Sequence, residues 1–295
     1  MTAIATARRA DLIGSAYMVC AMALFAVEDA FIKAAATTLP LGQILIIFGV
    51  GGAVVFALRA QRMGQPLFVP DVLSRPMRIR VLFEITGRLF YGLAIALIPL
   101  SAATVILQAT PLVVVAGAAL LFGETVGWRR WTAIFIGLIG VVIIIRPGTD
   151  GFSALSLLAV IGMAGFAGRD LASRAAPLTV STTLLGFYGF CALVIAGALY
   201  TVWDGFALRA VTATTALWLA GTIAAGVIAY TCLMRAMRTG DVSAVTPFRY
   251  SRLLFGIALG VALFGERPDA ATWIGSGLIV LAGLFIMWRG KNADT

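Results

Sequence analysis

SAATVILQATPLVVVAGAALLFGETVGWRRW, residues 101–131, returns as SAVTPFRYSRLLFGIALGVALFGERPDAATW, residues 243–273, at a constant offset of 142 residues. Ser101-Ala102 answers Ser243-Ala244, Leu121-Phe122-Gly123-Glu124 answers Leu263-Phe264-Gly265-Glu266, and Trp131 answers Trp273. Thr104, Leu112 and Ala116 recur as Thr246, Leu254 and Ala258, and the likeness runs on to Gly148 and Gly290. Each copy reads as apolar helix, polar turn, apolar helix. If each half holds an odd number of membrane crossings, the second half enters the bilayer in the opposite sense to the first. That is the arrangement of transporters that alternate between two faces.

The rest of the chain agrees with a membrane setting. Of its 295 residues 61% are hydrophobic and 12% charged, with a mean hydropathy of +1.02. Soluble domains carry about 25% charged residues, so a water-exposed surface cannot be built from this composition. The net charge of +9 sits in short basic clusters between apolar runs, without stacking aromatics, which excludes a nucleic-acid partner and fits the positive-inside rule. Histidine is absent, and Cys20, Cys191 and Cys232 stand singly in apolar runs. That spacing fits neither a disulfide framework nor a metal site, and no cofactor is implied. The run from Leu12 is too long and too charged for a cleaved leader.

With about 20 residues per crossing, ten spans are expected: 12–35, 41–58, 81–98, 101–122, 129–146, 153–174, 179–201, 212–235, 242–265 and 270–288. The expected fold is therefore all-α and polytopic, a 5+5 inverted repeat divided into residues 1–148 and 149–295. With both termini cytoplasmic, fourteen basic residues fall inside: Arg8, Arg9, Arg59, Arg62, Arg75, Arg78, Arg80, Arg129, Arg130, Arg174, Arg235, Arg238, Arg289 and Lys291. Only Arg146, Arg209 and Arg267 fall outside. Gly162, Gly165 and Gly168 on one side of the sixth span, and the Gly256/Gly260 pair in the ninth, mark close helix contacts.

Nine ionisable residues remain within spans: Glu28, Asp29, Lys33, Glu84, Arg88, Arg169, Asp170, Arg249 and Arg252. An Arg or Asp at the bilayer centre costs about 2.5–3.5 kcal/mol on insertion scales, so these residues face a bundle interior or one another. Asp29/Lys33 and Glu84/Arg88 have the i, i+4 spacing of local ion pairs. Arg249 and Arg252 share one helical face with no acid in their own span, so they need an anion from another helix or from a ligand. Depth along the spans points to an inner gate of Glu84, Arg88, Arg169, Asp170 and Arg249, with Asp29 and Lys33 as a smaller outward group. Glu28, Arg88, Tyr91, Gln108, Tyr250 and Arg252 are the candidate cavity residues. Pro111 and Pro247 interrupt the fourth and ninth spans, freeing the carbonyls of Leu107 and Ser243. Broken helices in corresponding halves point to a transporter's binding site.

No phosphate-binding glycine loop and no activated serine is present, so neither direct ATP hydrolysis nor enzymatic catalysis is expected; a lipid-handling protein or intramembrane enzyme is the rival class. The twin motifs, P-L-S-A-A…T-P-L…L-F-G-E…R-R-W and V-S-A-V…L-F-G-E-R-P-D…W, resemble the EamA branch of the drug/metabolite transporter superfamily over essentially the whole chain. Within it the chain looks most like proteobacterial amino-acid exporters of the YddG type. The resemblance implies an inner-membrane permease with a central cavity lined by spans one, three, four, six, eight and nine; a monomer or weak homo-oligomer is expected, with a small-molecule substrate and the lipid bilayer as its partners. Export of aromatic or neutral amino acids is the expectation. Uptake of a vitamin or nucleoside-like metabolite, or efflux of lipophilic cations, is the alternative.

Overall fold

The computed structural model of the chain describes residues 3–123, 127–146, 153–177, 179–205, 208–239 and 245–291, and among them every regular element is helical. The helices are α1 (Ala3–Ala35), α2 (Leu41–Arg62), α3 (Arg75–Leu97), α4 (Leu100–Leu107), α5 (Thr110–Phe122), α6 (Trp128–Ile145), α7 (Ser156–Arg174), α8 (Thr182–Trp203), α9 (Ala213–Thr239), α10 (Ser251–Phe264) and α11 (Ala270–Lys291). Short 3-10 turns at Pro70–Leu73 and Thr246–Tyr250 complete them. The chain is thus an all-α membrane protein of ten spans in two repeats of five. α4 and α5 form the fourth span, and the second 3-10 turn with α10 forms the ninth. Because five is odd, the second repeat crosses the membrane in the opposite sense to the first.

Prolines and glycines set the ends. Pro40 and Pro99, both in extended backbone, precede α2 and α4. Pro76 and Pro111 sit in the first turns of α3 and α5, where a missing N–H costs nothing. The two Leu-Phe-Gly-Glu turns close α5 and α10 alike, with Gly123 at φ 68° and Gly265 at φ 63°. Only glycine enters that left-handed region without strain. Glu124 and Ser243, members of the twin motif, lie outside the described residues.

Among the described residues, five segments are long and apolar enough to cross a bilayer by themselves: Arg9–Ala35, Leu41–Arg62, Leu100–Leu121, Thr182–Trp203 and Ala213–Ala236. α3 and α7, which carry five of the charged residues discussed below, fall outside that set. Their stability in lipid rests on partners. Large apolar side chains such as Leu120 (75% exposed) and Leu217 (73%) face outward, as a lipid-facing surface requires.

The chain forms two compact units that interleave the repeats. The first holds Met1–Ala30, Pro99–Ser153 and Ile228–Thr295; the second holds Phe31–Ile98 and Ala154–Val227. In the second unit α2 packs along α8 and α3 along α7; in the first, α4 packs on α10 and α6 on α11. Shifting by one repeat turns α2 into α8, span four into span nine and α6 into α11, so each of these pairs is a span with its own counterpart. The α3–α7 pair maps onto α9–α1. That contact is made in the first unit by Met18, Ala21 and Met22 against Ala236, and in the second by Phe31, whose ring centre lies 5.3 Å from that of Trp218 at a tilt of 43°.

The glycine seam on α7 works as its spacing predicts. A Cβ on Gly162 would lie 2.7 Å from the Tyr91 nitrogen, and one on Gly165 would lie 2.5 Å from the Gly87 nitrogen. Without side chains there, the α3 and α7 backbones touch. This approach brings the charges of the two helices within reach of one another.

Candidate functional site

In the second unit, Arg80, Glu84 and Arg88 follow one another at four-residue steps along α3, so they share a face. α7 supplies Arg169, Asp170 and Ser173. Glu84 is 2% exposed and is ringed by guanidinium groups. Arg80 Nη2 lies 3.3 Å from Oε2, and Arg88 Nε at 3.3 Å and Arg169 Nη1 at 3.4 Å approach Oε1. Arg169 also grips Asp170 through Nε at 2.9 Å and Nη2 at 2.8 Å. Arg80 Nε donates to Ser173 Oγ at 3.0 Å, and that hydroxyl donates to the Arg169 carbonyl at 2.7 Å. Three cations thus face two anions.

Phe166 stands beside this cluster. The Arg169 and Arg88 guanidinium carbons lie 4.8 Å and 5.8 Å from its ring centre, and Tyr91 meets it edge-on at 5.8 Å. Such cation–π contacts hold a guanidinium without neutralising it. Arg88 and Arg169 keep side-chain exposures of 18% and 20%. With Asp170, whose side chain is 24% exposed, they are the members of the cluster that a ligand could still reach.

Lys33, also in the second unit, donates to the carbonyls of Ile95 at 3.0 Å and Ile98 at 2.6 Å. It thereby closes the C-terminus of α3, where the helix dipole favours a cation. Its sequence neighbour Asp29 lies in the first unit and accepts from Arg252 Nη2 at 2.6 Å. Spacing along α1 does not show this ion pair, in which the acid reaches across to α10. The Arg252 guanidinium carbon lies 5.2 Å from the Phe25 ring centre, so the pair sits under an aromatic lid. Glu28, 2% exposed, is buried beside Asp29 in the chain.

The fourth span breaks where Pro111 requires it. α4 ends at Leu107, and the Thr110 hydroxyl takes up the freed Leu107 carbonyl at 2.5 Å. Gln108, at the break, donates from Nε2 to the Arg249 carbonyl at 3.1 Å. Pro247 lies in the 3-10 turn Thr246–Tyr250, the corresponding interruption of the ninth span. The two broken spans therefore meet at their breaks. Tyr250 is buried, with its hydroxyl against Gly283 of α11.

The structure brings Glu84, Arg88, Arg169 and Asp170 together as expected, with Tyr91 alongside. It places Arg249 in the other unit, with Gln108, Arg252, Asp29, Glu28 and Tyr250. Sequence reading missed Arg80, which is only 3% exposed; placing the third span at 81–98 left it in a cytoplasmic loop. Its four-residue spacing to Glu84 was the available signal. Glu266 was likewise read only as a motif residue. Among the described residues no group of three or more acids and cysteines is placed to hold a metal ion.

The profile of the EamA-like transporter family matches residues 12–146 and again 154–288. Similar proteins include an S-adenosylmethionine uptake transporter of Rickettsia felis, 28% identical over 69% of this chain and 67% of that protein. A riboflavin transporter of Rhizobium johnstonii is 31% identical over 70% of this chain and 68% of its own. A pseudopaline exporter of Pseudomonas aeruginosa is 28% identical over 92% of this chain and 95% of its own. One crystal structure, 22% identical, superposes with a TM-score of 0.60 over 95% of this chain and 98% of that one, which supports the fold.

Proposed function

We propose, from the premise that this chain belongs to the EamA-like transporter family and carries small metabolites across a membrane, that it exports amino acids or closely related carboxylates from the cytoplasm. The observation that carries this reading is the Asp29–Arg252 pair beneath Phe25. A carboxylate cargo can replace Asp29 on the Arg252 guanidinium while its apolar part rests on the aromatic ring. Glu28 then takes the ammonium group or a coupling proton, and Gln108 and Tyr250 border the same broken spans. In the second unit, Arg88, flanked by Tyr91 and Phe166, is by itself able to hold a carboxylate. The Glu84 cluster serves as the inner gate, opened when its ion pairs part. The arginine distribution supports a cytoplasmic side for both termini.

The test is counterflow in proteoliposomes with labelled amino acids, against a lipophilic cation and with or without a pH gradient. Wild-type protein should carry the carboxylates, and Arg252→Ala should lose them while leaving the fold intact by gel filtration. Undiminished carboxylate transport by Arg252→Ala would refute the anchor. A second reading, uptake of a vitamin or nucleoside-like metabolite, is favoured by the relatives named for S-adenosylmethionine and riboflavin. Competition by those compounds in the same vesicles, in place of amino acids, would establish it instead.

A further inference from the structure

The first amides of a helix have no acceptor within it. α4 begins behind Pro99, which offers no side-chain cap. Its amides at Leu100 and Ser101 donate instead to the two carboxylate oxygens of Glu266, at 2.6 Å to Oε1 and 2.9 Å to Oε2. The partner comes from the second Leu-Phe-Gly-Glu turn, in the other repeat. A carboxylate spanning two amides at a positive helix end is a strong, charge-assisted arrangement.

The turn is shaped to deliver that carboxylate. Gly265 reverses the chain after α10, and the Glu266 nitrogen donates to the Gly260 carbonyl at 3.1 Å. Gly260 has no side chain where one would collide with Glu266 Oε2. One turn further along, a Cβ on Gly256 would come within 2.6 Å of Thr104, so α4 and α10 run in close contact. At its far end α4 delivers Gln108 to the Arg249 carbonyl. α4 is therefore an eight-residue strut tied to the ninth span at both ends.

We infer that Glu266 is a positioning residue for the broken spans: it sets the height of α4, and through α4 the placement of Gln108 beside Arg249 at the candidate cargo site. By the span order it does so at the outward end of the fourth and ninth spans, where it acts as a latch that must release when those ends part. The link to cargo rests on the proposed function, whereas the latch itself does not.

Hydrogen–deuterium exchange of the full-length protein in lipid nanodiscs, without cargo, tests the latch. In the wild type the Leu100 and Ser101 amides should be slow. Glu266→Ala and Gly260→Ala should each accelerate them by about tenfold or more. The double variant should add little, because both changes remove one interaction. Glu266→Gln, which keeps one acceptor oxygen, should protect only one of the two amides. Wild-type exchange in Glu266→Ala, or additive effects of the two changes, would overturn the latch. For whichever cargo the vesicle assay identifies, Glu266→Gln should raise KM severalfold with turnover maintained. An unchanged KM despite faster exchange would overturn the positioning role and reduce Glu266 to a cap.

Discussion

Replacing Glu84 by Gln removes the one carboxylate that three arginines share. At 3.3 Å and an effective dielectric of about 20, each contact is worth about 5 kcal/mol of gross attraction. Three contacts give about 15 kcal/mol, most of it offset by the desolvation of the groups involved. Removing one member of such a buried group leaves the others uncompensated, and the net loss is about 3–5 kcal/mol. Glu84→Gln keeps the three cations of the cluster but, of its two carboxylates, only Asp170. Thermal unfolding in detergent, followed by the loss of monodisperse protein, should therefore shift strongly downward. The double variant Arg80→Met with Glu84→Gln restores the original surplus of one cation, and it should recover much of the lost stability. A Glu84→Gln protein as stable as the wild type, or a double variant worse than the single one, would refute the reasoning.

Gly165→Ala should destabilise by about 1–3 kcal/mol in the same unfolding assay, since its methyl group would press on the Gly87 backbone rather than on a yielding side chain; an unchanged midpoint would contradict the close crossing. Tyr250→Phe removes a buried hydroxyl that has no hydrogen-bond partner among the described residues, so stability should hold or rise slightly, and a loss beyond about 1 kcal/mol would contradict an unsatisfied hydroxyl. The Cys20 and Cys232 sulfurs lie 3.9 Å apart. Copper-phenanthroline oxidation should join them and leave only Cys191 open to maleimide under denaturing conditions; three labelled thiols after oxidation would place α1 and α9 differently.

The elements most legible in the sequence are those with local or periodic signals. The 142-residue repeat, the break at Pro111, the Glu84/Arg88 pair and the glycine seam of α7 all follow from spacing along one helix or between two copies of a motif. Helical periodicity says which residues share a face, but not which helix that face meets. Hence the spacing of Asp29 to Lys33, four residues on, gives no sign of the ion pair that Asp29 makes with Arg252 in the opposite repeat. Nor does spacing reveal that Lys33 donates to the carbonyls ending α3. Arg80 was lost for a different reason. Apolar windows trim charged residues from span ends, although a charged end can stay buried when a neighbouring helix supplies its counter-ions. Glu266 shows the same limit: its role depends on two backbone amides in the other repeat, which no side-chain pattern reveals.

The pairing of α2 with α8, of span four with span nine and of α6 with α11 bears on how such a molecule could arise. An ancestral polypeptide of five helices, inserted in both directions, would meet in its inverted twin the surfaces that the fused chain now presents to itself. Either repeat expressed alone leaves those surfaces bare to lipid. Two separately translated fragments, divided between α6 and α7, have in each other the complement they need to reassemble.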